Sequence, residues 1–189
     1  MWKNRLLFFA RAVTSIVVTF FPLLVLFLAR HNDFRFFFGI ALLFFLMQCV
    51  FALKNKGAVN FSLFPGLIGL ALGVLSLILD KVQVFLWYPV FVNLALLSIF
   101  GFSLVNAPSA IERIARLMTK DLPAKAIPYL KNVTKIWCFF FIFNGLIAAW
   151  TASQDNLVLW SLWNGCFSYI CIGVLLLGEW VYRKLVLNV

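Results

Sequence analysis

Long apolar runs alternate with short polar connections along this chain. Six runs stand out, over about 12–29, 36–53, 61–79, 84–105, 136–152 and 158–178. Each is roughly 17–22 residues long, enough for a helix rising about 1.5 Å per residue to cross about 30 Å of hydrocarbon. The pattern predicts an all-α polytopic membrane protein, one integral domain over 1–189, with six transmembrane helices as three hairpins. The first run follows Met1-Trp2-Lys3-Asn4-Arg5, which resembles the start of a signal peptide. It is too long for a signal-peptide core and no convincing A-x-A site follows, so it reads as an uncleaved first span. Pro22, in its middle, predicts a kink.

Charge gives the runs a direction. Of the 16 basic residues, thirteen fall in the N-terminal stretch, the second and fourth connections and the C-terminal stretch. Only Arg30, Arg35 and Lys81 fall on the other side. The positive-inside rule then places both termini in the cytoplasm. Trp87, Trp150 and Trp160 fall near the outer boundaries, and Trp2, Trp137 and Trp180 near the inner ones, as an aromatic belt requires. The net charge is +10, yet the bases flank apolar spans. That placement points to anionic lipid headgroups as the partner and away from nucleic acid.

One connection is long, 106–135. Ser109 and Glu112 have capping-box spacing, which predicts a helix near 109–120. Ile111, Ile114, Ala115, Leu117 and Met118 recur at helical spacing, with Arg113, Arg116 and Lys120 on other faces. This describes a basic amphipathic helix lying on the cytoplasmic interface. Pro123 or Pro128 can open the following helix. With Lys125, Lys131 and Lys135, the three cations form a candidate docking surface for headgroups or a cytoplasmic partner. The plainer alternative is a solvated linker whose charge only sets topology.

Polar residues inside the spans are the other candidates. Asn93, Asn144 and Asn164 lie at similar depths, within about 5 Å of one another along the membrane normal. They form either hydrogen-bonded interhelical glue or a polar layer that receives a substrate headgroup. The fifth and sixth spans must be antiparallel neighbours, and Gly145 and Gly165 allow close approach there. Gly66, Gly69 and Gly73 share one face of the third span and predict close packing, inside the monomer or in a homo-oligomer. Glu179 is four residues before Arg183, the spacing of an interfacial ion pair.

Little points to catalysis. His31 is the lone histidine, in the outer turn His31-Asn32-Asp33. Cys49, Cys138, Cys166 and Cys171 all fall in apolar runs, without CxxC or Cys/His spacing, so no metal site or redox pair is readable. The sequence contains no nucleophile elbow and no phosphate loop. The expectation is a protein without catalytic residues or cofactor.

The stretch Pro108 to Arg183 resembles an uncharacterised family of small bacterial inner-membrane proteins. The resemblance rests on Pro108-Ser109-Ala110-Ile111-Glu112-Arg113, Asp121-Leu122-Pro123, Val133-Thr134-Lys135-Ile136-Trp137, Phe143-Asn144-Gly145, Trp163-Asn164-Gly165 and Gly178-Glu179-Trp180. Members are often encoded beside aryl-polyene or fatty-acid-type synthesis genes and are sometimes labelled ketosynthase. That chemistry needs a nucleophilic cysteine with histidine partners in a soluble fold, which this chain lacks. Phe21-Pro22-Leu23-Leu24-Val25 and the last hairpin are distantly similar to the intracellular septation protein A family. These resemblances imply an inner-membrane accessory role in lipid, polyene or envelope biosynthesis, with cytoplasmic synthesis enzymes as partners. A small transporter or flippase for a lipidic substrate is the alternative.

Overall fold

The computed structural model describes residues 34–54, 63–118 and 122–186. The first span with Pro22, the turn at His31 and Asp33, and Lys120 lie outside them. All elements among the described residues are helical: α1 (Phe34–Lys54), α2 (Leu63–Leu79), α3 (Val82–Phe85), α4 (Tyr88–Val105), α5 (Ala110–Met118), α6 (Ala126–Ser153), α7 (Leu157–Leu162), a π-helical turn (Trp163–Phe167) and α8 (Ser168–Val186). Among the described residues three stretches are long and apolar enough to cross a membrane: Val82–Val105, Ala126–Ser153 and Leu157–Lys184. The apolar part of α1 and the 17-residue α2 are shorter. Of the six expected spans, the first lies outside the described residues, and three of the other five reach full length.

The bundle is built on two apolar clusters. Phe45, Phe85, Leu86, Ala152 and Trp160 form one, where α1, α3, α6 and α7 meet. Phe45 lies 5.2 Å from Tyr88, and Phe85 stacks on Tyr88 at 5.8 Å. Phe100, Ala110, Phe140 and Phe141 form the other, beside α5. The Phe100 and Phe141 rings meet edge to face at 5.1 Å, a geometry that satisfies the ring quadrupoles. The outward faces stay apolar: Phe102, Phe139 and Leu146 are each about two thirds or more exposed. A soluble monomer rarely exposes this much apolar surface in contiguous patches, whereas lipid solvates it at no cost.

Helix ends follow local chemistry. Asp80, with φ of 51°, reverses the chain after α2. Pro89 has no N–H to offer Phe85, so the helix breaks between α3 and α4. Leu86 and Trp87 close α3 with tighter bonds to Gln83 and Val84. The indole of Trp160 reaches across and donates to the Leu86 carbonyl at 2.8 Å. This corrects the belt assignment of Trp160: its side chain is fully buried, because the helix break supplies an acceptor inside the bundle. Asn156 caps α7 by accepting from the Leu159 amide at 3.0 Å. Helix α6 starts at Ala126, well before the apolar run at Ile136, with Pro128 in its first turn where a missing donor costs nothing.

Candidate functional site

The three intramembrane asparagines are all buried. Asn144 on α6 donates to the Asn93 side-chain oxygen on α4 at 3.2 Å. The Trp163 indole donates to the Asn144 oxygen at 3.1 Å. Asn93 turns its own amide to the Pro89 carbonyl at 2.7 Å. Three chain segments thus share one connected polar junction. Gly145 makes it possible: a Cβ there would stand 3.3 Å from the Asn93 Cβ, tighter than ordinary contact.

Asn164 is not part of that junction. Its amide donates to the Trp160 carbonyl at 2.9 Å and to the Thr151 hydroxyl at 3.4 Å. It lies in the π-helical turn, where the Ser168 amide reaches back to Trp163. Ser168 also donates through its hydroxyl to the Asn164 carbonyl at 3.2 Å. Side chains here satisfy carbonyls in a turn whose backbone ladder is widened. Gly165 sits half-buried in the same turn. The single layer expected at one depth is therefore two separate arrangements, because equal depth does not fix direction around the helix axis.

The basic connection also differs from its expected form. No capping box forms. The Ser109 hydroxyl is buried without a hydrogen-bond partner, and Glu112 turns to Arg116 instead, at 2.7 Å. The N-terminal amides of α5 are met by hydroxyls from other helices. Ser103 on α4 accepts from Ala110 at 2.8 Å, and Thr134 on α6 accepts from Ile111 at 3.3 Å. Arg113 folds back onto the carbonyls of Pro108, at 2.8 Å, and Asn106, at 3.3 Å. It secures the exit of α4 and is not presented outward. Arg116 is half exposed and carries its ion pair with Glu112. Lys125, Lys131 and Lys135 are exposed, the last with its ammonium 3.4 Å from the Asn132 oxygen. The outward cationic face is thus narrower than the sequence suggested.

The glycine stripe of α2 meets α1. Added Cβ atoms at Gly66 and Gly73 would lie 2.7 Å from the Cys49 sulfur and 2.9 Å from Leu42, and one at Gly69 would strike the Phe45 ring. The close packing predicted from this face is made within one chain. Among the described residues no three of His, Cys, Asp and Glu gather in a way that could hold a metal ion.

One arrangement was not foreseen. A cavity of about 400 Å³ opens between the first half of α6 and the last half of α8, lined by Tyr129, Asn132, Trp137, Gly178, Glu179 and Tyr182 among others. Tyr129 donates to the Glu179 carboxylate at 3.1 Å, and the Tyr129 and Tyr182 rings stack at 5.7 Å. The Glu179–Arg183 pair read from spacing is present, at 3.6 Å. The sequence signal was the shared level of Tyr129 and Glu179 near the inner boundary of adjacent spans, 50 positions apart. Compared with known proteins, the chain matches no family model, no curated protein and no solved structure.

Proposed function

We propose that this chain is a non-catalytic, multi-pass accessory protein of lipid, polyene or envelope biosynthesis in a bacterial inner membrane. It spans six times with both termini cytoplasmic, and it docks cytoplasmic partners through the connection 106–135. The apolar run lengths and the one-sided placement of thirteen bases support the topology. The observation that carries the docking reading is the seating of α5. Hydroxyls of Ser103 and Thr134 cap it from two neighbouring helices, so it is a fixed shelf and not a free linker. Arg116, Lys125, Lys131 and Lys135 stand exposed on and beside that shelf. A rigid cationic surface suits an acidic partner face, since complementary charge steers encounter and fixes orientation.

The transporter alternative has weaker support. The oxygen and amide of Asn144 are both engaged by Asn93 and Trp163, which leaves little for a passing headgroup. Purification in gentle detergent from native membranes, followed by native mass spectrometry, tests the docking reading. A stoichiometric cytoplasmic enzyme or carrier protein is expected, and it should be lost when Lys125, Lys131 and Lys135 are reversed to Glu in protein that still inserts. Retention of that partner by the triple variant refutes docking through this surface. Arg113 is unsuited to this test because it holds the Pro108 and Asn106 carbonyls.

A further inference from the structure

The cavity between α6 and α8 combines an apolar floor with a polar end, and Arg183 stands beside that end through its ion pair with Glu179. Val133, Ile136, Trp137, Val174 and Leu175 line its floor. Tyr129, Asn132 and Glu179 line its polar end together, and Tyr129 orients one carboxylate oxygen of Glu179. The other carboxylate oxygen is 3.6 Å from Arg183, an ion pair beyond hydrogen-bond range, so it keeps capacity to accept. A volume of about 400 Å³ is within the range of small-ligand sites. Gly178 lines the cavity without a side chain, and a Cβ there would meet nothing within 4 Å.

We propose that this groove is a binding site for an ethanolamine phospholipid. The primary ammonium hydrogen-bonds to Glu179, the phosphate is met by Arg183, and the first part of an acyl chain lies along the apolar floor. Charge complementarity selects this headgroup. A carboxylate and a guanidinium side by side match a zwitterion, and a charge-assisted contact at each end is stronger than a neutral one. An anionic headgroup without an amine would set its charge against Glu179. A quaternary ammonium has no N–H to donate, and one face of each of the Tyr129 and Tyr182 rings is taken up by the other, so an aromatic cage is not offered. The proposal rests on the membrane placement given above, but not on docking through α5.

The test is lipid titration of the full-length chain in detergent, read by native mass spectrometry. Phosphatidylethanolamine, phosphatidylglycerol and phosphatidylcholine with identical acyl chains serve as probes. Ethanolamine lipid is expected to bind about tenfold more tightly than the other two, a ratio within reach of one charged hydrogen bond. Glu179→Gln should erase that preference. Gly178→Leu should weaken all three lipids by filling the cavity; a Cβ at Gly178 meets nothing within 4 Å, so the fold should tolerate it. Equal binding of the three headgroups, a preference that survives Glu179→Gln, or affinities unchanged by Gly178→Leu overturns the proposal. Should Glu179→Gln fail to yield folded protein, the headgroup preference of the parent chain and the loss of binding in Gly178→Leu decide together. Extraction of the protein from membranes by alkaline carbonate would instead sink the membrane placement itself.

Discussion

Replacing Asn144 by leucine probes the polar junction directly. Leucine has as many side-chain heavy atoms as asparagine, so the change removes hydrogen bonds without opening a cavity. Two interhelical bonds disappear, to Asn93 at 3.2 Å and from Trp163 at 3.1 Å. Such bonds in membrane bundles contribute about 0.6 kcal/mol on average and up to about 1.7, which gives a loss of roughly 1–3.5 kcal/mol for the pair. The Asn93 oxygen and the Trp163 indole are left without these partners inside the bundle, which pushes the value toward the upper end. The assay is unfolding of purified protein in mixed micelles by sodium dodecyl sulfate, followed by circular dichroism, in two double-mutant cycles. Asn144→Leu with Asn93→Leu should show coupling of about 0.6–1.7 kcal/mol. Asn144→Leu with Asn164→Leu should be additive within about 0.5 kcal/mol, since no hydrogen bond joins those two side chains. Coupling of Asn144 to Asn164 as large as that to Asn93 would refute the division into two arrangements. An Asn144→Leu protein as stable as the parent would refute the structural role altogether.

Glycine substitutions should divide by neighbour. Gly69→Val and Gly145→Val should each destabilise by about 1–3 kcal/mol through forced separation of helices, while Gly101→Ala and Gly173→Ala, whose added Cβ meets nothing within 4 Å, should be neutral or stabilising by up to about 1 kcal/mol in the same unfolding assay. Ser103→Ala and Thr134→Ala should each cost about 1 kcal/mol and speed amide hydrogen exchange at Ala110 and Ile111; unchanged exchange there would count against the tertiary caps. Arg113→Glu should lower the thermal midpoint in detergent by breaking its two carbonyl contacts, whereas Lys131→Glu, on an exposed position, should leave it within error.

Run length and charge made the helical class and the long apolar helices legible, because both are properties of the chain taken in order. What the sequence hid was direction around each helix. Asn93, Asn144 and Asn164 share a depth, but only Asn93 and Asn144 face each other, and nothing in their spacing says so. Ser109 and Glu112 have the right separation for a local cap, yet Glu112 pairs with Arg116, and hydroxyls seven and 23 positions away meet the amides of Ala110 and Ile111. Trp160 sits at a belt position by count, and only the break before Pro89 turns it inward. The widened turn at Trp163–Phe167 had no signal in composition. The groove at Tyr129 and Glu179 depends on how two distant segments converge, which pattern alone does not reveal.

The Trp160–Leu86 bond has a mechanical consequence. It fastens α7 to the α3–α4 elbow at the same end where a short turn joins α6 to α7. Helix α6 has 28 residues, so about 42 Å separate that end from the other. The other end bears Tyr129, whose bond to Glu179 reaches α8. Helix α6 is thus pinned at both ends, through the short turn and Trp160 at one and through Tyr129 at the other, and the groove at Tyr129 is framed by an element anchored at its opposite end.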